Sequence, residues 1–165
     1  MSGFETLVDL FEQTIEKFPN NRLFGEKKDG QYKWTTYQKF GQKVDAFRGA
    51  LAVRGVEKGD TVGVIANNCL EWAVGAYATY GLGAQFCPMY EVQLPKDWKY
   101  IIADSETKVL LVANQDIYEK CQDFLEEFDH LEHIIFFEGA TDHKDYFGND
   151  LDDGEANPTP SVHPD

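Results

Sequence analysis

At 165 residues, with 42% hydrophobic and 14% aromatic side chains, the chain has the material for one buried core and is not a disordered polymer. A formal net charge of −14 excludes nucleic acids and anionic membrane surfaces as natural partners, because like charges repel. No apolar run approaches the ~20 residues a membrane helix needs, and the opening MSGFETL has no basic, apolar leader. These features lead to the expectation of a cytoplasmic protein, or of an organelle protein that has lost a transit peptide.

In chain order, Phe4 to Phe18 reads as an amphipathic helix. Thr6 can cap it, and Leu7, Phe11, Ile15 and Phe18 fall on one face of a 3.6-residue period. Pro19-Asn20-Asn21 ends it. Leu23–Glu26 and Gln31–Trp34 then form a hairpin turned by Asp29-Gly30, a residue pair suited to a two-residue loop. Thr35 and Gln38 offer a capping box for a second helix. Phe40, Val44, Phe47 and Leu51 make its buried stripe, and Gly55 sits at the expected left-handed cap.

Thr61 to Ala66 is a short β-branched run, the mark of a buried strand. Asn68 with Glu71 suggests a cap for the next helix. From Leu70 to Leu82 that helix is apolar on nearly every side, so it is buried on more than one face. Gly81 and Gly83 end it, and Ala84 to Tyr90, with Pro88 near its end, returns as a strand. Strand, helix and strand of this length form a βαβ unit, hence a parallel pair.

After a loop containing Pro95, a short helix carries Trp98, Ile101 and Ile102 inward. Lys108–Ala113 is a third strand, apolar enough to be covered on both faces. Ile117, Cys121, Phe124 and Phe128 mark a further amphipathic helix with acids outside, and Ile134–Phe137 is the last strand. The whole is an α/β protein with a doubly wound, mostly parallel sheet flanked by helices, preceded by a helix and a hairpin. Two regions are expected: residues 1–138 as the α/β unit and 139–165 as an acidic, proline-containing tail or linker. The tail holds seven acids, one lysine and three prolines, with little to bury.

Candidate chemistry is sparse. Cys69, Cys87 and Cys121 match no metal spacing and read as buried, reduced thiols. His130 and His133 lack a third ligand nearby and read as solvated or capping residues. Ligands of parallel sheets bind beyond the carboxyl ends of the strands. Here those ends are Asn67-Asn68, Tyr90-Glu91, Asn114-Gln115 and Glu138-Gly139, and the asparagines read first as helix caps. Gly81-Leu82-Gly83 lies at a helix-to-strand turn, the wrong junction for a phosphate cradle. The acid neighbours Glu126-Glu127 and Asp152-Asp153 do not face each other and serve solvation. Trp34, Trp72 and Trp98 read as hairpin or core anchors, with Trp72 expected to be buried. No catalytic, cofactor-binding or metal-ligating residue is assigned.

The ordered set Trp34-Thr35-x-Tyr37, Gly55-Val56-x2-Gly59-Asp60, Asn67-x3-Glu71-Trp72, Pro88-Met89-Tyr90 and Lys108–Val112 resembles the N-terminal part of the adenylate-forming, AMP-binding enzymes. The branch it is most similar to is the long-chain fatty acyl-CoA ligases. The resemblance implies an incomplete N-terminal portion of that fold. It also implies a parent activity that uses ATP, magnesium and coenzyme A to adenylate a fatty acid and pass it to a thiol.

The family's phosphate loop, Tyr-Thr-Ser-Gly-Thr-Thr-Gly with a following lysine, has no counterpart here. Neither do its aromatic–Gly–x–Thr–Glu motif, its ribose-binding Asp or its catalytic Lys. Pro158 to Asp165 is similar to the approach to that loop, so the chain is expected to stop short of its chemistry and to bind no cofactor alone. It is also expected to need a partner, because strands such as Ile134–Phe137 would leave open edges. That partner is the rest of the ligase, another chain, or another copy in a homo-oligomer. Two other readings stand beside this one: a truncated relative serving as a non-catalytic interaction subunit, and a stand-alone flavodoxin-like binding domain.

Overall fold

A computed structural model describes residues 3–162. Helix α1 (Leu7–Lys17) starts at Thr6, whose hydroxyl accepts from the Asp9 N–H at 3.0 Å while its own N–H donates to the Asp9 carboxylate. This reciprocal pair satisfies two end donors at once. The helix buries Val8 and Phe11, whereas Leu7 and Phe18 are 57% and 43% exposed. Its inner face is therefore turned from the expected one, because Phe11 packs edge-on to Phe40 and tilted against Tyr77, which fixes the rotation.

Strands β1 (Arg22–Lys28) and β2 (Gln31–Thr36) form the antiparallel hairpin. Asp29 and Gly30 both have positive φ, at 52° and 77°, the backbone of a two-residue primed turn. Helix α2 (Tyr37–Val53) is capped by Thr36, one residue later than the Thr35–Gln38 box predicted, with its hydroxyl accepting from the Lys39 N–H. The shift follows from Thr35 and Thr36 belonging to β2, so the helix begins only after the ladder ends. All four residues of the predicted stripe, Phe40, Val44, Phe47 and Leu51, are buried, and Gly55 closes the helix at φ 78°.

The second sheet comprises β3 (Thr61–Ile65), β4 (Gln85–Met89), β5 (Thr107–Asn114) and β6 (His133–Glu138). Their order is β4-β3-β5-β6 and every pair is parallel. Side chains alternate between the two faces. Val62, Val64, Val109, Leu111, Ile135 and Phe137 pack with α2 and with α3 (Leu70–Gly81). Ile65, Leu110, Val112, Ile134 and Phe136 pack with α4 (Pro95–Asp104), α5 (Gln115–Cys121) and α6 (Phe124–Glu127). The single helix expected over Ile117–Phe128 is thus two short ones. At the start of α6 the Leu125 and Glu126 N–H groups bond three residues back, to Gln122 and Asp123, which tightens the coil while Cys121 and Phe124 stay buried.

The largest correction concerns the segment after Gly139, read as loop or linker. It contains helix α7 (Phe147–Ala156), which buries Phe147, Asp150 and Gly154. A Cβ at Gly154 would collide with the Ala46 carbonyl of α2, and one at Gly49 would meet the Asn157 and Gly154 carbonyls. The two helices touch backbone to backbone, which only glycine at the crossing permits.

Upstream of α7, the Asp145 carbonyl accepts from the Phe136 N–H at 3.1 Å and Tyr146 bridges to Phe136. The edge of β6 is therefore met there and is not open as expected. Beyond α7, residues 157–162 lie as a strap across the helices. The Arg48 Nε donates to the Thr159 carbonyl, the Ser161 hydroxyl donates to Glu12, and the Val162 N–H donates to the Gly81 carbonyl, each at 2.6 Å. His163 to Asp165, part of the stretch similar to the approach to a phosphate loop, lie outside the described residues.

Trp98 is 2% exposed and its indole N–H donates to the Tyr90 carbonyl at 2.9 Å. Trp72 is only half-buried and lies edge-on to Phe86, so the expectation of a buried Trp72 is corrected. Its partner Phe86 belongs to β4, which lies at the margin of the sheet. In urea melts, Trp98→Ala is expected to cost about 3–5 kcal/mol and Trp72→Ala clearly less. Gly154→Ala is expected to lose about 1–3 kcal/mol or more through overpacking. An unchanged urea midpoint would mean that α7 does not sit on α2.

Candidate functional site

The carboxyl ends of β3, β4, β5 and β6 open on a common crevice, the place where open α/β sheets bind ligands. A cavity of about 220 Å³ there is lined by Asn67, Asn68, Cys69, Glu71, Glu91 and Glu138, among others. Asn114 caps α5, its side-chain oxygen accepting from the Ile117 N–H at 3.0 Å, as expected. Asn68 does not cap α3. Cys69 does, its sulfur accepting from the Trp72 N–H at 3.4 Å. The Asn67 N–H instead donates to the Glu91 carboxylate at 2.6 Å, tying the end of β3 to the loop after β4.

The donor set decides what this crevice can hold. Glu71, Glu91 and Glu138 are carboxylates, and no Lys, Arg or His lines the cavity. Such a surface repels polyphosphate, and the residues present do not fit the triphosphate of ATP. Among the described residues no group of His, Cys, Asp or Glu could hold a metal ion.

Cys69 is not a ready nucleophile either. Burial pushes its thiol up to about 11, and the neighbouring Glu71 adds to the rise. At neutral pH it is a thiol and not a thiolate. As a residue it is exposed, and Cys87 is half-buried; only Cys121 is the buried thiol expected of all three. The reason is position: Cys69 stands at the mouth of the crevice on a strand-to-helix turn.

Of the larger cavities elsewhere, two adjoin α7. One of about 680 Å³ runs beside the strap at Arg48, and one of about 480 Å³ lies between α2, β6 and α7. The second holds the structure's most buried charge. The Asp150 carboxylate, 2% exposed, accepts from Arg54 Nε and Nη2 at 2.9 and 2.5 Å through one oxygen, while its other oxygen has no partner among the described residues. Burial raises the Asp150 pKa, although Arg54 opposes the rise. His133 Nδ1 lies 3.4 Å from Arg54 NH1. Sequence reading missed this trio, since Asp150 sits among solvated acids and 96 residues from Arg54. His130 reaches the Ile102 carbonyl at 3.2 Å, so neither histidine is freely solvated. Glu126, Glu127, Asp152 and Asp153 are exposed, as expected.

A four-stranded parallel sheet wrapped on both faces, led by a helix and a hairpin, is the architecture found at the N-terminus of adenylate-forming enzymes. The family described as AMP-binding enzyme matches residues 11–165, and the chain belongs to it. A similar relative is long chain acyl-CoA synthetase 5 of Arabidopsis thaliana, 26% identical over 145 residues, covering 85% of this chain and 22% of that protein. The chain thus spans about a fifth of the length of such relatives.

Among solved structures, a long-chain-fatty-acid–CoA ligase from Archaeoglobus fulgidus matches with a TM-score of 0.78 and 21% identity. That match covers 96% of this chain and 32% of the other. An anthranilate CoA ligase in complex with anthranoyl-AMP matches at 0.80 and 22%, over 94% and 29% of the two chains. At these identities the structures establish the fold. Among the described residues no helix is long and apolar enough to cross a membrane.

His133 gives the site a pH test. Burial, with help from Arg54, holds its pKa below the usual 6.5. The unfolded chain therefore takes up this proton first, and stability present above pH 6.5 is lost as pH falls through the folded value. Asp150, whose pKa is raised above 3.8, has the opposite sign: its contribution is present at low pH and is lost as pH rises through its folded value. Urea midpoints between pH 7.5 and 5 should fall in the wild type and fall less in His133→Gln.

Proposed function

We propose that this chain is the N-terminal segment of a long-chain fatty acid–CoA ligase, which joins a fatty acid to coenzyme A through ATP-dependent adenylation. The observation that carries the reading is the match of residues 11–165 to the AMP-binding family. It is supported by relatives named as long chain acyl-CoA synthetases, of which the chain covers only 22%. ATP, magnesium and coenzyme A belong to the longer protein in this reading.

The segment is inactive by itself and contributes no catalytic, cofactor-binding or metal-ligating residue. Adenylation develops negative charge on phosphoryl oxygens, which cations and aligned N–H donors stabilise. The strand-end crevice supplies carboxylates instead. The role left to the segment is to carry the remaining domain and bring it to the correct position. Three free cysteines fit a reducing, cytoplasmic setting.

The test is ATP–pyrophosphate exchange driven by a long-chain fatty acid. The 165-residue chain should give background exchange, and the natural protein containing it should exchange well above background. Exchange by the 165-residue chain would overturn its inactivity. A natural protein whose intact mass corresponds to 165 residues would replace the ligase reading with that of a non-catalytic interaction subunit.

A further inference from the structure

The net charge of −14 is unevenly spread. Residues 17–43 hold seven Lys and Arg against two acids, Glu26 and Asp29, so they carry +5 and the rest of the chain −19. Electrostatic attraction reaches only about a Debye length, roughly 10 Å in dilute salt. An anionic surface that touches this region therefore meets its local positive charge, although the whole chain is acidic.

The hairpin of β1 and β2 gives that charge a shape. Its register sets Gly25 opposite Trp34 and Lys27 opposite Tyr32, so these four residues share one side of the ribbon. Phe24 lies on the other side, tilted against the buried Phe40. The Trp34 indole lies across Gly25, where a Cβ would come within 2.8 Å of it. The Arg22 guanidinium sits over the same indole at 5.1 Å, and Tyr32 stacks on it with centroids 5.7 Å apart. Tyr32 and Trp34 are 60% and 44% exposed, and Glu26, the one acid within the two strands, falls on the Phe24 side. Only Pro19, Asn20 and Asn21 separate this plate from Phe18 at the end of α1, also exposed, with Lys17 over its ring at 5.3 Å.

Exposed aromatic rings set among cations, with no acid on their side, are suited to one environment. Tyr and Trp place an apolar ring and a polar edge in the headgroup layer of a bilayer, while Lys and Arg meet the phosphates. Nucleic acid is the competing polyanion, and its bases stack on open ring faces. Here Tyr32 and Trp34 already stack on each other and Arg22 covers the indole. The exposed Phe18, flanked by Lys17, likewise suits lipid. We propose that the β1–β2 hairpin docks this protein onto an anionic phospholipid surface through Arg22, Lys27, Tyr32 and Trp34. The acidic remainder is repelled by the same surface, so the protein binds in one orientation, hairpin first. This goes beyond the ligase reading and does not rest on it.

Vesicle flotation of the natural protein tests the proposal, comparing phosphatidylcholine vesicles with the same vesicles carrying about 30% phosphatidylserine. Binding should require the phosphatidylserine and be lost as salt rises from about 0.1 to 1 M. On those vesicles, hydrogen–deuterium exchange should slow in the peptide over 22–36. Lys27→Glu should weaken binding by at least about fivefold, and Tyr32→Ser should weaken it too. Lys120→Glu on α5 makes the same change in net charge at an exposed site outside the basic stretch, and should stay within about twofold of the wild type. Absence of binding, equal binding to both vesicles, or equal losses in Lys27→Glu and Lys120→Glu would overturn the inference. Tighter binding to a single-stranded oligonucleotide than to the vesicles would overturn it in favour of nucleic acid. ATP–pyrophosphate exchange is read separately, so loss of the ligase reading leaves this result standing, and the reverse.

Discussion

A parallel sheet has to be covered on both faces, because its strands can be joined only by crossovers that lie over it. In this chain that requirement organises nearly everything else. Val62, Val64, Val109 and Leu111 on one side, and Ile65, Leu110 and Val112 on the other, are essentially inaccessible to water. Four strands would be short-lived without the two helical layers that enclose them, since a small sheet cannot bury its apolar faces alone. Helix α2, arriving before the sheet in sequence, supplies Phe40, Val44, Phe47 and Leu51 to one face. The other face is closed by α4, α5 and α6 around Trp98, Ile102, Ile117 and Phe124.

That first face is finished by a segment whose composition argues against burial. Helix α7 carries Asp150, Asp152, Asp153 and Glu155, yet it contributes Phe147 to the core, its ring tilted against Phe47 and edge-on to Phe137. Two features make this seat workable. Gly154 and Gly49 let the α2 and α7 backbones meet. Asp150 is held by Arg54, since a buried carboxylate is tolerated only with a partner. The Tyr118 hydroxyl donates to Asp145 at 2.7 Å and fastens the turn leading into the helix. Burial, with that contact, pushes the Tyr118 pKa up to about 12.

The distribution of charge bears on function in the same physical terms. A net charge of −14 leaves the strand-end crevice without a cation. The two most buried arginines are engaged elsewhere, Arg48 with the strap and Arg54 with α7. Cationic side chains in this segment hold architecture together. Stabilisation of a developing phosphoryl charge falls to other parts of the ligase in the function proposed.

The sequence alone determined the elements whose signals are local. The β-branched and apolar runs at 61–65, 107–114 and 133–138 are strands because nothing else buries such residues on both sides. The hairpin turn is written in Asp29-Gly30 and the end of α2 in Gly55, where positive φ is cheapest for these residue types. The absence of a recognisable phosphate loop was also legible, since that motif is a contiguous string.

Tertiary structure decided what depends on residues far apart in the chain. The rotation of α1 follows from Phe11 meeting Phe40 and Tyr77, and the shallower burial of Trp72 from its place at the sheet margin. The seating of α7 was hidden because glycine and aspartate are poor helix formers and normally solvated. Their value here lies in a backbone contact with α2 and an ion pair to Arg54, and neither exists until the two helices are brought together.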